Sequence, residues 1–152
     1  MSPGHVDGRV VVAKLAMVEA MLAAIATLPL ASLDDFVADP RMVAAGESCL
    51  RRALEALLDL GRHILAKGFG HPVSEYAEIG EALGSRLVLS PDDASLLRRM
   101  AGYRNRLVHL YDGIDDSELH RMLTAHITDL SRIAEALKGW VEGHPDVVAR
   151  SV

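Results

Sequence analysis

Apolar residues recur along this chain at intervals of three and four. Val11, Leu15, Val18, Leu22 and Ile25 step by 4, 3, 4 and 3, which lines them along one face of a helix. Pro29 ends that run. Ser32, followed by Asp34 and Asp35, has the chemistry of a cap for a short turn carrying Leu33, Phe36 and Val37. Asp39-Pro40 marks a boundary, because a residue before proline avoids the α region. From about Arg41 to Lys67 the line Val43, Gly46, Leu50, Leu54, Leu57, Gly61 and Ile64 predicts a long helix. Its glycines would let a neighbour approach closely. Residues 68–72 read as a loop. Ser74 is expected to cap a shorter helix that turns Tyr76, Ile79 and Leu83 inward and closes near Gly84.

Ser90-Pro91-Asp92-Asp93 is the strongest helix start: a cap serine, proline at the first helical position, and two acids at the positive end of the dipole. That helix carries Leu96, Met100, Tyr103 and Leu107 and is expected to end near Asp112-Gly113. Asp115 with Glu118 resembles a capping arrangement. It opens a last long helix with Leu119, Leu123, Leu130, Ile133, Leu137 and Trp140, closed by Gly143 and Pro145. Residues 1–8 read as a frayed lead-in and the end of the chain as a polar tail. Ser85 to Ser90 could be extended, but one strand makes no sheet. The pattern therefore predicts an all-α fold: one domain over residues 1–152, its core at about 10–140, built as an up-and-down bundle of four to five main helices.

Composition narrows the chemistry. The single cysteine, Cys49, excludes an internal disulfide framework and a zinc site of several thiolates. A formal charge of −5 argues against a protein that coats nucleic acid through overall basicity. The most apolar stretch, Val10 to Leu28, carries Lys14 and Glu19, so no membrane span is expected. No signal peptide is read at the N-terminus, and the expected location is the cytoplasm.

Against this acidic background Leu97 to Tyr111 stands out. It holds Arg98, Arg99, Arg104 and Arg106, four arginines within nine positions, with no acid among them. Arginine grips phosphate oxygens with a fork of fixed donors, and histidine exchanges protons near neutral pH. A ribonuclease that uses the RNA's own 2′-hydroxyl as nucleophile needs little more than these, and no metal. On a regular helix Arg104 and His109 lie about 140° apart around the axis. Either the helix is distorted near its end, or a second copy of the chain completes the site.

The run Arg104-Asn105-Arg106-Leu107-Val108-His109-Leu110-Tyr111 resembles the Arg-x4-His-x-Tyr signature of the HEPN superfamily, in particular HepT-like toxins. The order of helices agrees over roughly residues 10–140, including the short turn with Phe36 and the Pro72-Val73-Ser74-Glu75-Tyr76 entry to the fourth helix. The resemblance implies an all-helical homodimer with both motifs at its interface. It implies metal-independent RNA cleavage without a cofactor, and a small nucleotidyltransferase antitoxin that adenylylates the motif tyrosine. By position, Arg104 and His109 would be the catalytic pair, Asn105 a polar assistant and Tyr111 the modified residue. Arg98, Arg99 and Arg106 would contact RNA. A non-catalytic helical module that docks a nucleotidyltransferase or a nucleotide at the same basic cleft is the alternative. A plain bundle with a charged face is the third reading.

Other polar residues have ordinary readings. His126, between Leu123 and Leu130, fits a core or interface position. His63 lies where a helix dipole favours a cation. Tyr103 reads as packing, Cys49 as inert on a mostly buried helix, and residues 68–70 form no phosphate loop.

Overall fold

The computed structural model describes residues 5–109 and 113–149. Its helices are α1 (Gly8–Ile25), α2 (Leu33–Val37), α3 (Pro40–His63), α4 (Tyr76–Ser85), α5 (Pro91–Val108), α6 (Asp116–Ala125) and α7 (Ile127–Gly143). The fold is all-α, as the spacing predicts. α3 runs through the centre and touches α1, α2, α4, α5, α6 and α7. Central placement requires apolar residues around most of its circumference. Accordingly Leu54, Leu57, Leu58 and Leu60 are all at most 1% exposed. α1 packs along α3 on one side, and α4 and α5 pack on each other.

Caps fall where short polar side chains allow. Ser32 accepts from the Asp35 amide, Ser90 from the Asp93 amide and Asp115 from the Glu118 amide. Each satisfies an orphan N–H of a first turn. Ser74 does not cap α4. Glu75 occupies that position without a side-chain bond, and Arg62 Nη1 donates weakly to the Ser74 carbonyl at 3.4 Å.

Four further expectations are revised. The expected lead-in and tail are tied together, because Val6–Asp7 pairs in parallel with Val148–Ala149. Val6 is fully buried, and Asp7 caps α1 by accepting from the Arg9 amide at 2.9 Å. Residues Ile64–Gly68 leave the α-helical ladder for a π turn. The segment before Ser90 is not extended, since Leu87 adopts a left-handed φ of 61°. The predicted last long helix is two helices, broken at His126 (φ −112°, ψ 0°).

The remaining difference concerns the arginine-rich helix. α5 stops at Val108, short of Asp112-Gly113, and His109 turns to extended backbone (φ −93°, ψ 124°). Its amide still donates to the Asn105 carbonyl at 3.2 Å.

Candidate active site

Arg104 sits on the inward side of α5, about a quarter exposed. Its ion-pair partner lies 49 residues away in sequence: Glu55 Oε1 on α3 is 3.4 Å from Nε, close enough for charge attraction but not aligned for a hydrogen bond. Nη1 donates to Asn105 Oδ1 at 3.3 Å. The guanidinium lies 4.7 Å from the centre of the Tyr76 ring on α4, a cation–π distance. A guanidinium carries five N–H donors, so several remain for a ligand. Nη2 has no protein partner among the described residues.

The support for Arg104 is itself braced. Tyr76 donates its hydroxyl to Asp59 Oδ1 at 2.8 Å. Burial, and then this bond to a carboxylate, push the phenol's pKa upward. Asp59 also pairs with Arg62 at 2.7 Å and with Lys14 at 3.6 Å, and Glu55 also takes Arg51 at 3.1 Å. Each acid thus serves two cations. For Arg62, burial alone would lower the pKa, but the Asp59 bond and its neighbours outweigh burial and the shift is upward. Arg51, Glu55, Asp59 and Arg62 step by 4, 4 and 3 along α3. α3 also carries Arg41, Glu47 and Arg52, so this spacing places Glu55 and Asp59 on one charged stripe without singling them out as partners of Arg104.

The arginine segment is therefore not unopposed. Its acids come from other helices. Arg106 forms a two-pronged pair with Glu118 of α6, with Nη2 to Oε2 at 3.0 Å and Nη1 on Oε1. The fork links α5 to α6. Arg98 and Arg99 are exposed and make no ion pair among the described residues. His109 is exposed at the end of α5 and lines a shallow depression with Glu47, Leu107, Gly113 and Leu119. No hydrogen bond or ion pair links it to Arg104 among the described residues. Tyr111 lies outside the described residues, as do Leu110 and Asp112.

The other histidines depart from their sequence readings in part. His63 Nε2 accepts from the Asp7 amide at 2.9 Å. Burial lowers its pKa, opposite to the dipole expectation, and the neutral ring is the form that can accept. His126 sits at the α6–α7 break, with Nδ1 3.6 Å from Asp129 and its ring 6.3 Å from that of Tyr103. Cys49 is half-buried. Among the described residues no three His, Cys, Asp or Glu side chains form a metal-holding group, and no helix is long and apolar enough to cross a membrane.

Residues 19–137 match a family model described as ribonuclease HepT-like. The tRNA nuclease HepT of Aphanizomenon flos-aquae is 34% identical over 89 residues, covering 58% of this chain and 60% of that protein. The match thus spans less than two thirds of that relative. The putative RNase YutE of Bacillus subtilis is 27% identical over 101 residues, covering 64% of this chain and 70% of YutE. Among solved structures, a tri-AMPylated Shewanella oneidensis HEPN toxin in complex with an MNT antitoxin superposes with a TM-score of 0.77 at 18% identity, over 86% of this chain and 97% of that one. The structure of YutE, described as a cytosolic protein of unknown function, gives 0.77 at 20% identity over 97% and 98%. At such identities the shared property is the fold.

Proposed function

This chain belongs to the HepT-like ribonuclease family, and from that membership we propose that it is an endoribonuclease toxin of a toxin–antitoxin pair. Its catalytic groups are Arg104 and His109, assembled at a cleft between two copies of the chain. The observation that carries this reading is the end of α5. Because the helix stops at Val108, His109 is released from the regular angular offset that would set it about 140° from Arg104. The relatives described as a tRNA nuclease and a putative RNase lend it support.

The chemistry needs no metal. The RNA 2′-oxygen attacks the adjacent phosphorus and gives up its proton to one imidazole. The bond to the 5′-oxygen breaks, and that oxygen takes a proton from an acid, the imidazole of the partner's motif. The products are a cyclic phosphate and a 5′-hydroxyl. Arg104, held by Glu55, Tyr76 and Asn105 before substrate arrives, stabilises the extra negative charge on phosphorus oxygens. A donor fixed in advance loses little to reorganisation. Asn105 steadies that guanidinium. Arg98 and Arg99 hold flanking phosphates, and Arg106 joins them when RNA competes with Glu118.

Silencing follows the same electrostatics. A small nucleotidyltransferase antitoxin transfers AMP to Tyr111, two residues beyond His109 in sequence. The added phosphate then competes with RNA for the arginines. The Shewanella toxin described as tri-AMPylated and bound to an MNT antitoxin supports this arrangement. The cytoplasm is the compartment where such RNA and such a partner meet.

The test is cleavage of RNA by the purified protein in excess chelator. Arg104→Ala and His109→Ala should each lower the rate by about 10²–10⁴-fold, the usual worth of a positioned proton-transfer or charge-stabilising group, while sedimentation still reports a dimer. Undiminished cleavage by either variant, or strict dependence on added metal, refutes the mechanism. Absence of turnover with retained nucleotidyltransferase binding favours the docking module instead.

A further inference from the structure

A cleft of about 340 Å³ opens between α3, α5 and the α6–α7 break, and of its lining the proposed function uses only Arg99. Its floor is apolar, with Leu54, Met100 and Met122 all buried. Its rim is polar and aromatic: Arg99 and Tyr103 from α5, His126 at the break and Asp129 on the first turn of α7. The volume lies within the range of small-ligand sites, about 300–1,000 Å³. The break that shapes its mouth has no proline or glycine at residues 124–128, so helix-breaking residues do not explain it.

The rim has a definite chemistry. Tyr103 and His126, with ring centres 6.3 Å apart and planes tilted by 37°, offer an aromatic wall. Asp129 meets His126 through Oδ2 at 3.6 Å, and its Oδ1 has no partner among the described residues. Arg99 is exposed at the edge and forms no ion pair among the described residues. A planar base stacks on such a wall, a carboxylate takes two adjacent N–H donors, and a guanidinium takes phosphate. Guanine is the RNA base whose edge presents two adjacent donors, the ring N1–H and the exocyclic amine. The cleft shares α5 with the candidate active site but opens on another face of it: Arg99 lies about 7.5 Å from Arg104 along the helix axis and about 140° around it.

We propose that this cleft binds the guanine base of an RNA nucleotide some way along the strand from the scissile phosphate, with Asp129 accepting from its two N–H groups and Arg99 holding its phosphate. That the guanine belongs to RNA rests on the ribonuclease reading, whereas recognition of the nucleotide does not. The experiment is titration of the protein, with labelled methionine methyls, with GMP, IMP and UMP. GMP should shift the Met100 and Met122 methyl signals and the His126 ring. IMP lacks the exocyclic amine and should bind about tenfold more weakly, as expected for a lost hydrogen bond to a charged group. Arg99→Ala should cost about tenfold for GMP on the same ground. Asp129→Asn, close to isosteric, should erase the preference of GMP over IMP. Arg104→Ala should stop RNA cleavage yet keep the GMP-induced shifts. If Met100 and Met122 do not move, or UMP moves them as readily as GMP, the inference is overturned even where RNA is cleaved. If GMP binds as described and no RNA is cleaved, the inference stands and the ribonuclease reading falls.

Discussion

Replacing Gly80 with alanine tests the contact that sets α4 against α5. A Cβ at Gly80 would lie 2.6 Å from the Ala94 carbonyl oxygen and 3.0 Å from the Arg98 amide nitrogen. Both atoms are α5 backbone, so no side chain can rotate aside. Restoring an ordinary 3.4 Å contact requires the helices to part by about 0.8 Å, the difference between 3.4 and 2.6 Å. Gly84, one turn on, already faces Ala94, where its Cβ would stand 2.8 Å away. Overpacking of this kind costs about 1–3 kcal/mol. Alanine's better helix propensity returns about 0.5–1 kcal/mol. The net loss of up to about 2.5 kcal/mol should lower Tm by up to about 10 °C for a chain of this size. Gly139 on α7 is the control: nothing lies within 4 Å of its would-be Cβ, so Gly139→Ala should raise Tm by about 1–4 °C. Thermal unfolding followed by circular dichroism reads both. Equal stabilisation by the two substitutions would show that α4 and α5 do not meet at Gly80, and the Tyr76 platform under Arg104 would lose its basis.

Three further outcomes follow from the same contacts. Tyr76→Phe removes the bond to Asp59 but keeps the ring beneath Arg104, so RNA cleavage should fall less than in Tyr76→Leu, which removes both. Equal rates in the two variants would separate Arg104 from that ring. Burial depresses the folded pKa of His63 below its unfolded value. Its contribution to stability is therefore complete above the unfolded pKa, about 6.5, and is lost as pH falls through the lower folded pKa. His63→Gln can keep an acceptor for the Asp7 amide without titrating, so denaturant unfolding should lose less stability than wild type between neutral pH and pH ~5; an unchanged pH slope would contradict this. Leu57→Ala, at a side chain with 0% exposure, should cost about 2–5 kcal/mol, and a smaller loss by the same assay would argue against α3 as the central helix.

Much of this protein was legible in local chemistry. Helix starts at Ser32, Ser90 and Asp115 depend on a side chain reaching an amide three residues on, and apolar faces depend on neighbours three and four apart. Both are visible along the chain, and so was the arginine-rich motif. Other features needed the assembled fold. The break at His126 carries no proline or glycine to announce it, and the early stop of α5 at Val108 precedes the glycine expected to end it. Glu55 reaches Arg104, Glu118 reaches Arg106 and His63 accepts from Asp7 across 49, 12 and 56 positions. Sequence periodicity acts over one or two turns, whereas the partner of a partly buried charge is settled by which helices pack side by side. Hence the cations of this site could be named from the chain, and the acids and ring that hold Arg104 in place could be assigned only in three dimensions.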